Sequence, residues 1–157
     1  DALSHLMFFL TRDLLQSHGY CHYEVSAYAQ PGQRAVHNSG YWAWRPYLGL
    51  GAGAHGFDGY RRWENIRRVK TYIDRAGVGQ DPTAHEEELD LEASSFERLM
   101  VGLRRLDEGI ALKGDCSRFR PKAEELISRG WLEEFSGNVR VTREGLRWMN
   151  DVLSEFL

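Results

Sequence analysis

The chain has 157 residues, 42% hydrophobic and 27% charged, a globular balance that excludes wholesale disorder and suffices for one ordinary domain or two small ones. A net charge of −3 gives no reason to expect nucleic acid or an anionic membrane as partner, and no run approaches the roughly twenty apolar residues of a membrane span. Cys21 and Cys116 lie too far apart for a CxxC zinc or redox motif and read as reduced thiols of a cytoplasmic protein.

Asp1 runs straight into helical periodicity with no Met before it, which reads as a fragment of something longer. Leu3, Leu6, Met7, Leu10 and Leu14 predict an amphipathic helix over 2–17, closed by Gly19 at the position after the C-cap. Tyr20 to Ser26 then alternates as a strand, with Tyr23 and Val25 on one face and His22 and Glu24 on the other. Helix, short connection and strand make the αβ half of a β/α unit with no partner upstream. Such a fragment is expected to dimerise or swap elements through residues 2–26.

Residues 29–59 shift to Gly, Trp, Tyr, His and Pro, too long and aromatic for a plain connector, so a ligand-binding loop system is expected. Tyr47 to Leu50 reads as a short strand, and the spacing of Trp63, Ile66, Val69 and Ile73 predicts a helix over 60–76. Gly77 to Pro82 is rich in breakers, and a domain boundary is placed at residue 80.

Beyond it, Phe96, Leu99, Met100, Leu103 and Leu106 form a helical face capped by Ser94 or Ser95 and stopped by Gly109. Pro121 opens a second helix that ends at Gly130. Trp131–Phe135 and Val139–Val141 form a hairpin, and Thr142 caps a last helix carrying Leu146, Met149, Val152, Leu153 and Phe156. The order resembles a small winged-helix module, yet its would-be recognition helix sets Lys122 and Arg129 against Glu124 and Glu125, which argues against DNA.

Gly51-Ala-Gly53-Ala-His-Gly56 matches G-x-G-x-x-G, but no βαβ unit surrounds it. The run Gly49, Gly51, Gly53 instead predicts backbone packed closely against a ligand or another segment. Arg61, Arg62, Arg67, Arg68 and Lys70 form either an anion site or a solvated face paired with Glu64 and Asp74. His18 and His22 flank Cys21 without a reason to converge, and His85 opens a solvated acidic run. His37 and His55 stand apart, because both lie in the Gly/aromatic loops.

Four segments carry a family resemblance: Gly19-Tyr-Cys-His-Tyr-Glu-Val-Ser-Ala-Tyr-Ala-Gln-Pro-Gly32, His37-Asn-Ser-Gly-Tyr-Trp42, Tyr47-Leu-Gly-Leu-Gly-Ala-Gly-Ala-His55, and Glu97-Arg-Leu-Met-Val-Gly-Leu-Arg104 leading into Glu108-Gly-Ile110. In this order and spacing they resemble the C-terminal part of radical S-adenosylmethionine proteins related to oxygen-independent coproporphyrinogen III oxidase. The H-N-x-x-Y-W motif points to the haem-chaperone branch.

The resemblance implies a mixed α/β fold, the C-terminal remnant of a partial (β/α) radical SAM barrel (residues 1–80) followed by a helical, winged-helix-like domain (81–157). It implies that the full-length parent carries a 4Fe–4S cluster on CxxxCxxC and S-adenosylmethionine, with Ala29 as a contact to the latter. The fragment lacks that motif and is expected to be inactive alone, without cluster uptake. By the same resemblance the haem site comprises His37, Asn38, Tyr41 and Trp42, with His37 on the iron, His55 as the rival ligand and Asn38 orienting the imidazole. Haem delivery to an accepting protein is the implied function. The alternatives are oxidative decarboxylation of coproporphyrinogen propionates and a lid or interaction domain without a ligand.

Overall fold

The computed structural model describes residues 2–157. Helix α1 (Ala2–Ser17) forms where the periodicity places it. Its Leu6, Met7, Leu10 and Leu14 nevertheless stay 56–60% exposed, and Phe9 is the side chain it buries. The guanidinium groups of Arg143 and Arg147 lie over the Phe9 ring at 5.0 and 5.1 Å. Arg143 also grips Asp13 through two bonds of 2.5 and 2.7 Å, so α1 is tied to the C-terminal end of the chain.

The strand expected over 20–26 is shorter and folds back on itself. β1 (Cys21–Glu24) pairs antiparallel with β2 (Ala27–Ala29), with Cys21 opposite Ala29 and an irregularity between His22 and Glu24. Ser26 Oγ donates to the Glu24 carboxylate at 3.1 Å across the turn. His22, Tyr23 and Glu24 are buried in succession, with Cys21 exposed at the start of the strand, so the expected alternation fails. α1 covers one side, with Phe8 against His22, and on the other side Tyr23 O accepts from Leu106 N at 3.1 Å.

Helix α2 (Val36–Trp42) follows, and then an antiparallel three-stranded sheet of β3 (His55–Phe57), β4 (Arg61–Asn65) and β5 (Thr83–Glu88) in that order. The helix expected over 60–76 is thereby corrected. Only its second half is helical, as α3 (Val69–Gly77), whereas Trp63 and Glu64 lie on the central strand. The reason is non-local. Asp58 Oδ1 accepts from Tyr60 N and Arg61 N at 2.9 and 2.7 Å, a turn that sends β4 back along β3. Trp63 then sits opposite Gly56, where a Cβ would come within 2.2 Å of the indole, so only glycine admits the ring. Tyr47 is bridged to Phe57 rather than starting a full strand. Past the 77–82 linker, β5 returns to the same sheet, with Glu86 opposite Trp63.

α4 (Leu91–Gly102) is capped by Asp90, whose carboxylate accepts from Ala93 N at 2.7 Å, not by Ser94 or Ser95. A 3-10 turn (Gly114–Phe119) leads into α5 (Arg120–Ser128), with Pro121 in its first turn. The hairpin of β6 (Leu132–Phe135) and β7 (Asn138–Val141) forms as expected, and Thr142 Oγ1 accepts from Gly145 N at 2.9 Å at the next N-terminus. The last helix breaks at Trp148 into α6 (Arg143–Arg147) and α7 (Met149–Ser154). The main core lies in this half, where Leu99, Leu103, Leu126, Leu132, Val139 and Val152 are fully buried and Phe9 joins from α1.

Candidate functional site

Helical spacing explains how His37-Asn38-Ser39-Gly40-Tyr41-Trp42 works as a surface. On α2, His37 and Tyr41 are four residues apart, as are Asn38 and Trp42, so each pair shares a face. The His37 and Tyr41 rings meet edge to face at 4.8 Å, and His37 Nε2 lies 3.5 Å from the Tyr41 hydroxyl. Among the described residues Tyr41, rather than Asn38, lies within hydrogen-bond range of the imidazole. Trp42 takes the Arg104 guanidinium on its ring at 5.5 Å, and its indole Nε1 is buried without a partner among the described residues.

The helix is placed from both ends. Ala35 N donates to the Tyr23 hydroxyl at 3.3 Å, and Arg34, over the Tyr23 ring, is ion-paired with Asp107 and Glu108. At the other end Trp44 N donates to Tyr41 O and Arg45 N to Gly40 O, each at 3.0 Å. This is a Schellman closure, in which the residue after the C-cap must be left-handed. That residue is Trp44, with φ 56°, where glycine is usual. Its ring packs on Phe57 at 4.7 Å, carrying the end of α2 onto the sheet.

The glycine run forms the facing wall. A Cβ on Gly49 would lie 2.0 Å from the His55 carbonyl oxygen, so the two backbones touch there as the run of glycines predicts. Asn65, 5% exposed, donates through Nδ2 to Gly49 O and Gly51 O at 3.2 and 3.0 Å and pins the loop to β4. Sequence reasoning missed Asn65, because its partners lie in another segment.

Between α2, this loop and α4 lies a cavity of about 760 Å³, within the roughly 300–1,000 Å³ of small-molecule sites. His37, Asn38, Tyr41, Trp42 and His55 all line it. Ala29 does not; it is buried on β2 opposite Cys21. Tyr41 and Tyr47 cross edge to face at 4.5 Å, and burial pushes the Tyr47 hydroxyl above its ordinary pKa, so it stays neutral. Arg62 and Glu97 pair on the wall. The Arg62 guanidinium is held above its ordinary value, its burial being outweighed by the bond and charge of Glu97. Trp44, Arg45 and Glu97 were not singled out as site residues. The aromatic density of 41–47 was the available signal for the first two, and Glu97 arrives from α4 with no local signal.

The basic cluster resolves into pairs: Arg67 with Glu64, Lys70 with Asp74, and Arg61 with Asp58 and Glu86. Gly51 and Gly53 lie between a bridge and an antiparallel strand, not at a βα turn. His18 Nδ1 bonds to Leu14 O, whereas His22 is buried against Tyr28, so the two do not converge. The cysteines do not fit an iron–sulphur cluster, which needs three or four thiolates. Cys21 is exposed, while Cys116 is buried, donates to Ser95 O at 3.7 Å and has its thiol pKa raised by burial. Among the described residues no group of three His, Cys, Asp or Glu side chains is placed to hold a metal ion. No described helix is long and apolar enough to cross a membrane.

No protein-family model matches the chain. Relatives named heme chaperone HemW do match it. The Escherichia coli protein is 33% identical over 92% of this chain and 40% of its own length. The Bacillus subtilis protein is 30% identical over 96% of this chain and 42% of its own length, and one from Mycobacterium tuberculosis is 32% identical over 92% and 37%. The chain thus spans about two fifths of the length of the curated relatives it matches. Among solved structures, the coproporphyrinogen III oxidase HemN from Escherichia coli, described as a radical SAM enzyme, superposes with a TM-score of 0.64. It covers 93% of this chain and 39% of its own, at 13% identity, which shows a shared fold.

Proposed function

We propose that this chain, whose homologues over more than nine tenths of its length are heme chaperones, is the C-terminal, haem-carrying part of such a protein. The observation that carries the reading is the convergence of His37 and His55, eighteen positions apart in sequence, on one aromatic-walled cavity. The residues present suit haem as cargo. An imidazole supplies an axial nitrogen, and Tyr41, Trp42 and Tyr47 supply flat apolar surface beside it. His37 is the ligand of this reading, because its ring packs edge to face on Tyr41, on the helix that carries the His-Asn-x-x-Tyr-Trp motif. His55 is the rival. A single imidazole on an open cavity releases its cargo more readily than a buried bis-ligated site, which suits delivery to an accepting protein.

On this reading residues 1–80 close a radical SAM barrel, and 81–157 form a winged-helix-like domain stitched to it through β5. The parent supplies the 4Fe–4S cluster and S-adenosylmethionine, near which Ala29 sits, and works in the cytoplasm. The shared fold with HemN supports the barrel assignment. Coproporphyrinogen oxidation has only that fold in its favour.

Haem titration of this chain, following the Soret band, tests the ligand. His37→Ala is expected to abolish the ligated spectrum while His55→Ala keeps it. Loss on His55→Ala alone moves the ligand there, and unchanged spectra in both variants overturn the site.

A further inference from the structure

The charged side chains on the cavity wall, besides the two histidines, are Arg45, Arg62 and Glu97. Arg62 and Glu97 satisfy each other. Arg45 makes no ion pair with a carboxylate among the described residues, and it borders both this cavity and the neighbouring cleft of Glu24, Arg105, Asp107 and Glu108. Neighbouring acids are engaged elsewhere. Asp107 and Glu108 hold Arg34, Glu108 also holds Arg105, and buried Glu24 accepts from Ser26. The side chain that remains is the planar donor that matches a carboxylate best.

Its position is built into the fold. Arg45 is the residue whose N–H closes α2 onto Gly40, and its Cδ lies 4.0 Å from the point a Gly40 Cβ would occupy, so its stem runs back over the helix. Left-handed Trp44 sets the exit direction and Pro46 fixes the next step of the chain. A non-glycine residue held left-handed is strained, and such strain gathers where a fold must aim particular side chains. Here it sends the Trp44 ring onto Phe57 and puts the next residue at the cavity rim.

We propose that Arg45 recognises a carboxylate of the ligand in the His37 cavity, so that the site selects flat, apolar ligands bearing peripheral carboxylates. The proposal rests on the haem reading and adds to it a selection among porphyrins: those with free propionates are carried, and those with masked ones are held only by ring and iron.

Haem and haem dimethyl ester share ring and iron but differ in free carboxylates. Titrating both into this chain should show haem binding about tenfold more tightly, as expected for one charge-assisted pair at a partly exposed site. Arg45→Gln is expected to bring haem down to the affinity of the diester, leave the diester unchanged and keep the ligated Soret spectrum. Arg45→Lys should recover part of the preference, which also shows that loss in Arg45→Gln is not misfolding. Equal affinity of the two ligands in the unaltered chain, or a preference that survives Arg45→Gln, overturns the proposal. The iron-ligand reading is judged separately, by the band shape in His37→Ala, so the two fail independently.

Discussion

Trp44 and Phe57 meet edge to face, centroids 4.7 Å apart, although Trp44 must adopt a left-handed backbone to get there. The contact joins the end of α2, with its histidine, to the strand that begins at His55. Ring contact and backbone strain thus oppose each other at one residue.

They are separable by substitution. Trp44→Ala and Trp44→Gly both lose the ring, but only alanine keeps the left-handed penalty. Urea denaturation should find the glycine variant more stable than the alanine variant by about 1 kcal/mol. A glycine variant no more stable than alanine would show that the turn relaxes when the ring is gone.

Asn65 tests the opposite wall. Asn65→Asp keeps the shape but replaces a donor to two carbonyls by a carboxylate facing them, within a site that is 5% exposed. A loss of about 3 kcal/mol is expected, with faster amide exchange at Gly49–Gly53. A loss below about 1 kcal/mol would mean that the glycine loop holds itself.

His22 sets a pH dependence. Burial first, and then the charge of Arg12, hold its pKa below the ordinary value, against the opposing effect of its bond to Val25 O at 3.0 Å. Since a carbonyl only accepts, Nε2 carries the proton in the neutral ring. The unfolded chain therefore takes up a proton that the folded one refuses. The stability contribution is full above about pH 6.5 and is lost as pH falls towards the folded pKa, with a slope of at most about 1.4 kcal/mol per pH unit. His22→Gln should flatten the denaturation midpoint between pH 7 and 5. An unchanged profile would assign the slope to other groups.

The exposed face of α1 predicts self-association. Leu6, Met7, Leu10 and Leu14 lie on one helix at 56–60% exposure, a stripe that a second copy of the chain would cover. Light scattering of this chain at high concentration should report a dimer, and Leu6→Asp with Leu10→Asp should return it to monomer. A monomer at all concentrations would count against the pairing.

What was legible in the sequence is what is decided within a few residues. The helix over 2–17, the β6–β7 hairpin, the Thr142 cap and the close backbone approach at the glycine run all follow from side-chain period, capping chemistry and the absence of a Cβ. Gathering His37, Tyr41, Trp42 and His55 as site candidates needed only their place in a Gly-rich aromatic segment and a family resemblance. What tertiary structure alone decided is where strand pairing outweighs local period. Residues 61–65 leave the helical pattern of 60–76 because β3 and β5 supply hydrogen-bond partners on both edges and Gly56 leaves room for Trp63. The leucine stripe of α1 faces out because Phe9 and Asp13, not the leucines, meet the Arg143 end of the chain. Asn65 across two carbonyls and Arg45 at a cavity rim are matters of distance between segments, which periodicity along one segment does not carry.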